Sequence, residues 1–148
     1  MKKLLSIAVL SLCVSNVMAS SAYKDCWNGF ASVGVDVDNI TVKAGQSVSQ
    51  GVHYHIQAAG LSTNGYNVEI QAENDRKEST QPYHSEKWYY YVDAAHGLKI
   101  DQSSMLSPPA VYGNVGTYTT IFRLRMTSVV TNMKDCDITG YGTVTVIN

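Results

Sequence analysis

The sequence predicts an all-β fold, a two-sheet β-sandwich closed by one disulfide, and three observations predict it. Apolar and polar residues alternate with a period of two through most of the chain, and no long window carries a helical stripe. Turn-forming residues cut that alternation into short segments at the spacing of a sandwich. Once an N-terminal leader is set aside, two cysteines remain, Cys26 and Cys136, one near each end of the domain.

The leader is residues 1–19, read as a signal peptide. Lys2 and Lys3 supply the positive start, Leu4 to Val14 the apolar stretch and Val17-Met18-Ala19 the small-residue cleavage site. The apolar run falls well short of the roughly 20 residues a membrane span needs. Cys13 follows Leu12, where lipoprotein processing wants a small side chain, so lipid anchoring is the weaker alternative. The expected product is a single domain, residues 20–148, secreted or periplasmic, in which Cys26 and Cys136 bond to each other.

In chain order, Val33, Val35 and Val37 alternate with Gly34 and Asp36, and a short strand is expected at Ile40–Val42 or Ser47–Gln50. Val52, Tyr54, Ile56 and Ala58 alternate with His53, His55 and Gln57, and Tyr66, Val68, Ile70 and Ala72 with Asn67, Glu69 and Gln71. Because Asn64-Gly65 is a good hairpin turn, these two strands are expected to pair. Glu73 to Glu86, polar and broken by Pro82, reads as a long loop before a strand at Lys87–Val92, and Gly97 to Pro109 reads as irregular. Phe122, Leu124 and Met126 mark a strand from Tyr118 to Val130, Asn132 to Asp135 a turn, and Val144 and Val146 a last strand from Gly142 to Ile147.

Charge excludes one class of partner. Without Lys2 and Lys3 the chain keeps nine basic side chains against twelve acidic, and its few clustered bases sit beside acids or apolar residues. A nucleic-acid-binding face needs the opposite balance. No enzyme motif is specific. His53 and His55 project from one strand face at a spacing two metal ligands use, but no third ligand is assignable beyond His84 or Glu86 on a folded-back loop. A solvent-facing polar side of the strand accounts for them, and no metal or cofactor is expected. Ser47, Ser49, Ser103 and Ser104 lack a nucleophile-elbow context, and the acid pairs Glu73/Asp75 and Asp135/Asp137 lie in polar turns. Asn39-Ile40-Thr41 has the form of a glycosylation acceptor. The run Trp88-Tyr89-Tyr90-Tyr91 puts one aromatic pair on each face of its strand, as core packing, as the wall of an apolar pocket or as a stacking platform for sugar.

The ends of the chain resemble a known family. Tyr23-Lys24-Asp25-Cys26, the valine-rich strand and Lys43-Ala44-Gly45-Gln46-Ser47 are similar to the opening of the ML lipid-recognition domains. Gly116-Thr117-Tyr118, a polar hairpin bearing Cys136 and the final Val144-Thr145-Val146-Ile147 are similar to their close. The family's further cysteine pairs have no counterpart here. The resemblance implies an immunoglobulin-like sandwich holding an acyl chain or sterol between its sheets.

The expected function is therefore a carrier or sensor of an apolar small molecule: a lipid, fatty acid or sterol. The alternatives are a solid-core binding or adhesion module for a protein or glycan partner and, least favoured, a secreted enzyme. Strand parity nominates the ligand-facing residues as Val52, Tyr54, Ile56, Val68, Ile70, Trp88, Tyr90, Phe122 and Leu124, because their alternates His53, His55, Asn67, Glu69, Arg123 and Arg125 would be costly in an apolar pocket. On the aromatic run parity is silent, and Trp88 and Tyr90 are chosen for the larger apolar area of tryptophan.

Overall fold

The structure, a computed structural model, describes residues 21–60, 65–128 and 135–148. The leader, most of the Leu61–Gly65 link with Asn64, and residues 129–134 lie outside the described residues. The strands are β1 Ala22–Cys26, β2 Ala31–Val37, β3 Ile40–Lys43, β4 Ser47–Val48, β5 Gly51–Ala58, β6 Tyr66–Asp75, β7 Tyr83–Val92, β8 Leu98–Met105, β9 Ala110–Val111, β10 Gly116–Ser128 and β11 Cys136–Ile147.

They form one sheet in the order β1-β2-β5-β8, a second in the order β3-β11-β10-β6-β7, and a ribbon of β4 with β9. After pairing with β5 through β2, the chain changes sheet, and β3 runs parallel to β11. With β6, β10 and β11 taken as C, F and G, this is an immunoglobulin-like sandwich.

Parity builds the core. Val33, Val35, Val37, Val52 and Ile56 from one sheet meet Val68, Ile70, Leu124 and Met126 from the other, each at most 4% exposed. A smaller cluster of Ala110, Tyr112, Val144 and Val146 lies under the ribbon. Between the clusters the buried Gln50 donates to the Asp38 carbonyl and accepts from Thr120 Oγ1 at 2.6 Å, so a polar side chain without access to water is satisfied.

The sheets are fastened along one margin. Cys26 at the end of β1 is bonded to Cys136 at the start of β11, with Cα atoms 5.7 Å apart, so the disulfide joins one sheet to the other. Here β11 approaches β2 so closely that a Cβ on Gly140 would lie 2.5 Å from Val35 Cγ1. At the opposite margin β7 and β8 are the outer strands of their sheets and share no ladder. A tight turn joins them at one end, where Asp93 and His96 exchange backbone hydrogen bonds of 3.1 and 3.2 Å.

Four expectations are corrected. β5 and β6 do not pair: the neighbours of β5 are β2 and β8, and those of β6 are β10 and β7. Asn-Gly favours a turn but does not choose the edge that the next strand finds, and here the two apolar faces meet across the interior instead of side by side. The loop read over Glu73–Glu86 shrinks to 76–82, because β6 and β7 continue as a ladder through Asn74↔His84 and Asp75↔Tyr83. The segment Gly97–Pro109 is not irregular throughout, since β8 pairs along its whole length with β5. Its only inward apolar alternation is Leu98 and Ile100, and backbone bonding carries the rest. The last strand also starts earlier than expected, at Cys136.

Candidate binding cleft

The unfastened margin contains the candidate site. A hollow of about 290 Å³ lies between the sheets, lined by Tyr54 and Ile56 of β5, Ile70 of β6, Trp88 and Tyr90 of β7, and Ile100 and Gln102 of β8. A smaller recess of about 80 Å³ shares Tyr54 and Trp88 with it and is lined further by Val52 and Phe122. The two succeed each other along β7 and β8, the larger toward the Asp93–His96 turn and the smaller toward Tyr83 and Met105.

Of the nine residues nominated from sequence, seven therefore line one hollow or the other. Val68 and Leu124 line neither and are solid core, at 0% and 1% exposure. The strand register explains the separation. On β6 and β7, Ile70 stands opposite Trp88 and Val68 opposite Tyr90, while Leu124 lies one strand further in. The aromatic run resolves as chosen: Trp88 and Tyr90 turn inward and are half-buried, whereas Tyr89 and Tyr91 are 66% and 60% exposed.

Sequence reasoning missed Ile100 and Gln102, because β8 was not read as a strand. It also missed Asn74, and weighed His84 and Glu86 only as metal ligands and Ser104 only as a nucleophile, not as the polar lining of the recess. The alternation of Leu98 and Ile100 with Lys99 and Asp101 was the available signal for β8. At the recess His84 Nε2 is 2.8 Å from Glu86 Oε1. Asn74 is buried; its Nδ2 donates to the Ser107 carbonyl at 3.3 Å and its Oδ1 has no partner. Burial pushes the Tyr54 phenol pKa above its ordinary value, and the neighbouring Tyr90 and Glu86 push it the same way.

The histidine pair weighed as ligands, His53 and His55, lies on the outer face instead, away from His84 at the recess. His53 Nε2 is 2.6 Å from Asp101 Oδ1, and His55 Nε2 is 3.2 Å from Ser32 Oγ. Among the described residues no three His, Cys, Asp or Glu side chains are grouped to hold a metal ion. Asn39 Oδ1 accepts from both the backbone N–H and the hydroxyl of Thr143 at 2.8 Å, so the acceptor side chain is already engaged. Among the described residues no helix is long and apolar enough to cross a membrane. No protein-family model matches the sequence, and no curated protein matches it.

Proposed function

We propose that this chain is exported and that its mature domain carries or senses an apolar small molecule held between its sheets, as the ML-like ends of the sequence imply. The observation that carries the reading is the hollow at the β7–β8 margin. Half-buried Tyr54, Trp88, Tyr90 and Ile100 present apolar surface to a space and not to a facing side chain. That space stands at the lower end of the roughly 300–1,000 Å³ typical of small-molecule sites. An occupant would remove this surface from water, at about 25 cal/mol per Å². The disulfide suits an oxidising compartment.

Organic extraction and mass spectrometry of the protein from its native host tests the proposal directly, with a stoichiometric apolar molecule expected. In solution, Ile100→Trp fills the hollow from an edge strand without disturbing the central core. It should weaken binding of the neutral fluorophore N-phenyl-1-naphthylamine about tenfold while the melting transition survives. A folded variant that binds as well as the parent refutes the assignment.

A second reading, an interaction module, is favoured by the outer face, where Tyr83, Tyr89 and Tyr91 of β7 are all more than half exposed. Loss of glycan-array binding in a Tyr89→Ala, Tyr91→Ala variant would support it.

A further inference from the structure

The recess at one end of the cleft constrains the head of whatever lies in the hollow, given the carrier reading. No lysine or arginine lines either hollow. At the recess the charged and polar residues are Glu86, His84 already bonded to it, Ser104, Ser107, Tyr54 and the buried Asn74, and the hollow adds the neutral Gln102 and Tyr90. Because Asn74 Nδ2 donates to Ser107, the amide orientation is fixed, and the atom left without a partner is the carbonyl oxygen Oδ1, an acceptor. The recess therefore holds one anionic acceptor, Glu86, and one acceptor left unfilled, Asn74 Oδ1, beside the neutral residues Tyr54, Ser104 and Ser107, and no lysine or arginine. A carboxylate head would meet Glu86 with no lysine or arginine beside it, and His84 is already engaged by Glu86, whereas a hydroxyl or ammonium supplies the donors that Asn74 and Glu86 lack.

We infer that the occupant is a long-chain or polycyclic alcohol or amine, with its donor head in the recess between Asn74 and Glu86 and its apolar body along Trp88, Ile56 and Tyr90, and that free fatty acids are selected against. This narrows the lipid, fatty acid or sterol expected from sequence to its hydroxyl- and amine-bearing members.

The test is displacement of N-phenyl-1-naphthylamine from the mature protein at neutral pH by dodecanol, dodecylamine and dodecanoate, which share one chain and differ in the head. The alcohol and the amine should displace the probe at concentrations about tenfold or more below the acid. Glu86 is exposed on an edge strand, so Glu86→Gln and Glu86→Lys should fold, as their melting transitions would confirm. Glu86→Gln should shrink the discrimination against dodecanoate about threefold or more, and Glu86→Lys should reverse it. Equal displacement by all three, tighter binding of the acid, or a ratio untouched by both variants overturns the head assignment and leaves the cleft standing. Failure of the probe and all three chains to bind overturns the cleft as well.

Discussion

Arg76 offers the sharpest test of the packing argument, because it is a cation in a place that should not hold one. Just beyond β6, it is the largest of the fully buried side chains, at 1% exposure. Its Nη2 donates to the Pro108 carbonyl at 2.9 Å and its Nε has no partner. Burial pushes the guanidinium pKa down, and the nearby Tyr112 phenol pushes it partly back up. Arg76→Met keeps the apolar stem and removes the charge. It forfeits one charge-assisted hydrogen bond, about 1.5–3 kcal/mol, and relieves an unpaired buried donor worth about 1–3 kcal/mol. It also relieves a charge desolvation of several kcal/mol. The balance leaves stability unchanged or raised by about 1–2 kcal/mol. Arg76→Ala also deletes the stem, and by analogy with Met→Ala in a core should fall about 2–5 kcal/mol below the Met variant. Urea unfolding followed by Trp27 and Trp88 fluorescence measures both. If Arg76→Met is as unstable as Arg76→Ala, the guanidinium is compensated by an anion and the reasoning fails.

The remaining predictions are these. Replacing Cys26 and Cys136 by alanine should cost about 4–5 kcal/mol, the loop-entropy value for a span of this length, the two cysteines being 110 residues apart; unchanged stability would refute the cross-link, and under the proposed export the intact mass of the mature protein should place its start near Ser20. Gly142→Ala should destabilise by about 1–3 kcal/mol, since its Cβ would lie 2.6 Å from both Gln50 Nε2 and Val37 Cγ1. Gly113→Ala, with nothing within 4 Å, should change stability by less than about 0.5 kcal/mol in the same denaturation assay. Thermal unfolding with and without chelator should coincide, and a large loss of melting temperature in chelator would reveal a structural metal.

What the sequence made legible follows from where side chains must be apolar. β5, the first half of β6 and β10 each bury one face, so period-two alternation exposes them and fixes the inward residues, Ile56, Ile70 and Phe122 among them, while β2, buried on both faces, is legible because its valines alternate with Gly34 and Asp36. The polar stretches Glu73–Asp75 and Tyr83–Glu86 hide the adjoining ends of two strands, because the inward positions there are Asn74, His84 and Glu86, the lining of the recess. β8 hides for a related reason: as an outer strand it needs little apolar area, and its ladder to β5 is made by backbone groups common to every sequence. The residues that complete the candidate site were thus hard to read, with only the short Leu98/Ile100 alternation as a signal, because the site departs from the pattern of a core. The pairing of β5 with β6 failed differently, since a local turn preference holds no information about which sheet has a free edge.

The one-sided fastening of the sandwich sets how it can deform. A disulfide, a sheet-crossing between β2 and β3 and a glycine-tight contact act as the spine of a book, and the fore-edge is tied at its two ends, by the Asp93–His96 turn at one corner and by the hydrogen bonds of Asn74 to Ser107 and Arg76 to Pro108 at the other. Swinging β7 away from β8 breaks no ladder, so the cheapest opening is a lateral gape at mid-length between the two ties, where Trp88 and Tyr90 face Ile100 and Gln102. Stiffness should grade accordingly, with amide exchange slowest in β2 and the adjoining part of β11 and fastest along the outer edge of β8. A guest would then slip in sideways, as a page marker does, and the binding would remain intact while the leaves part.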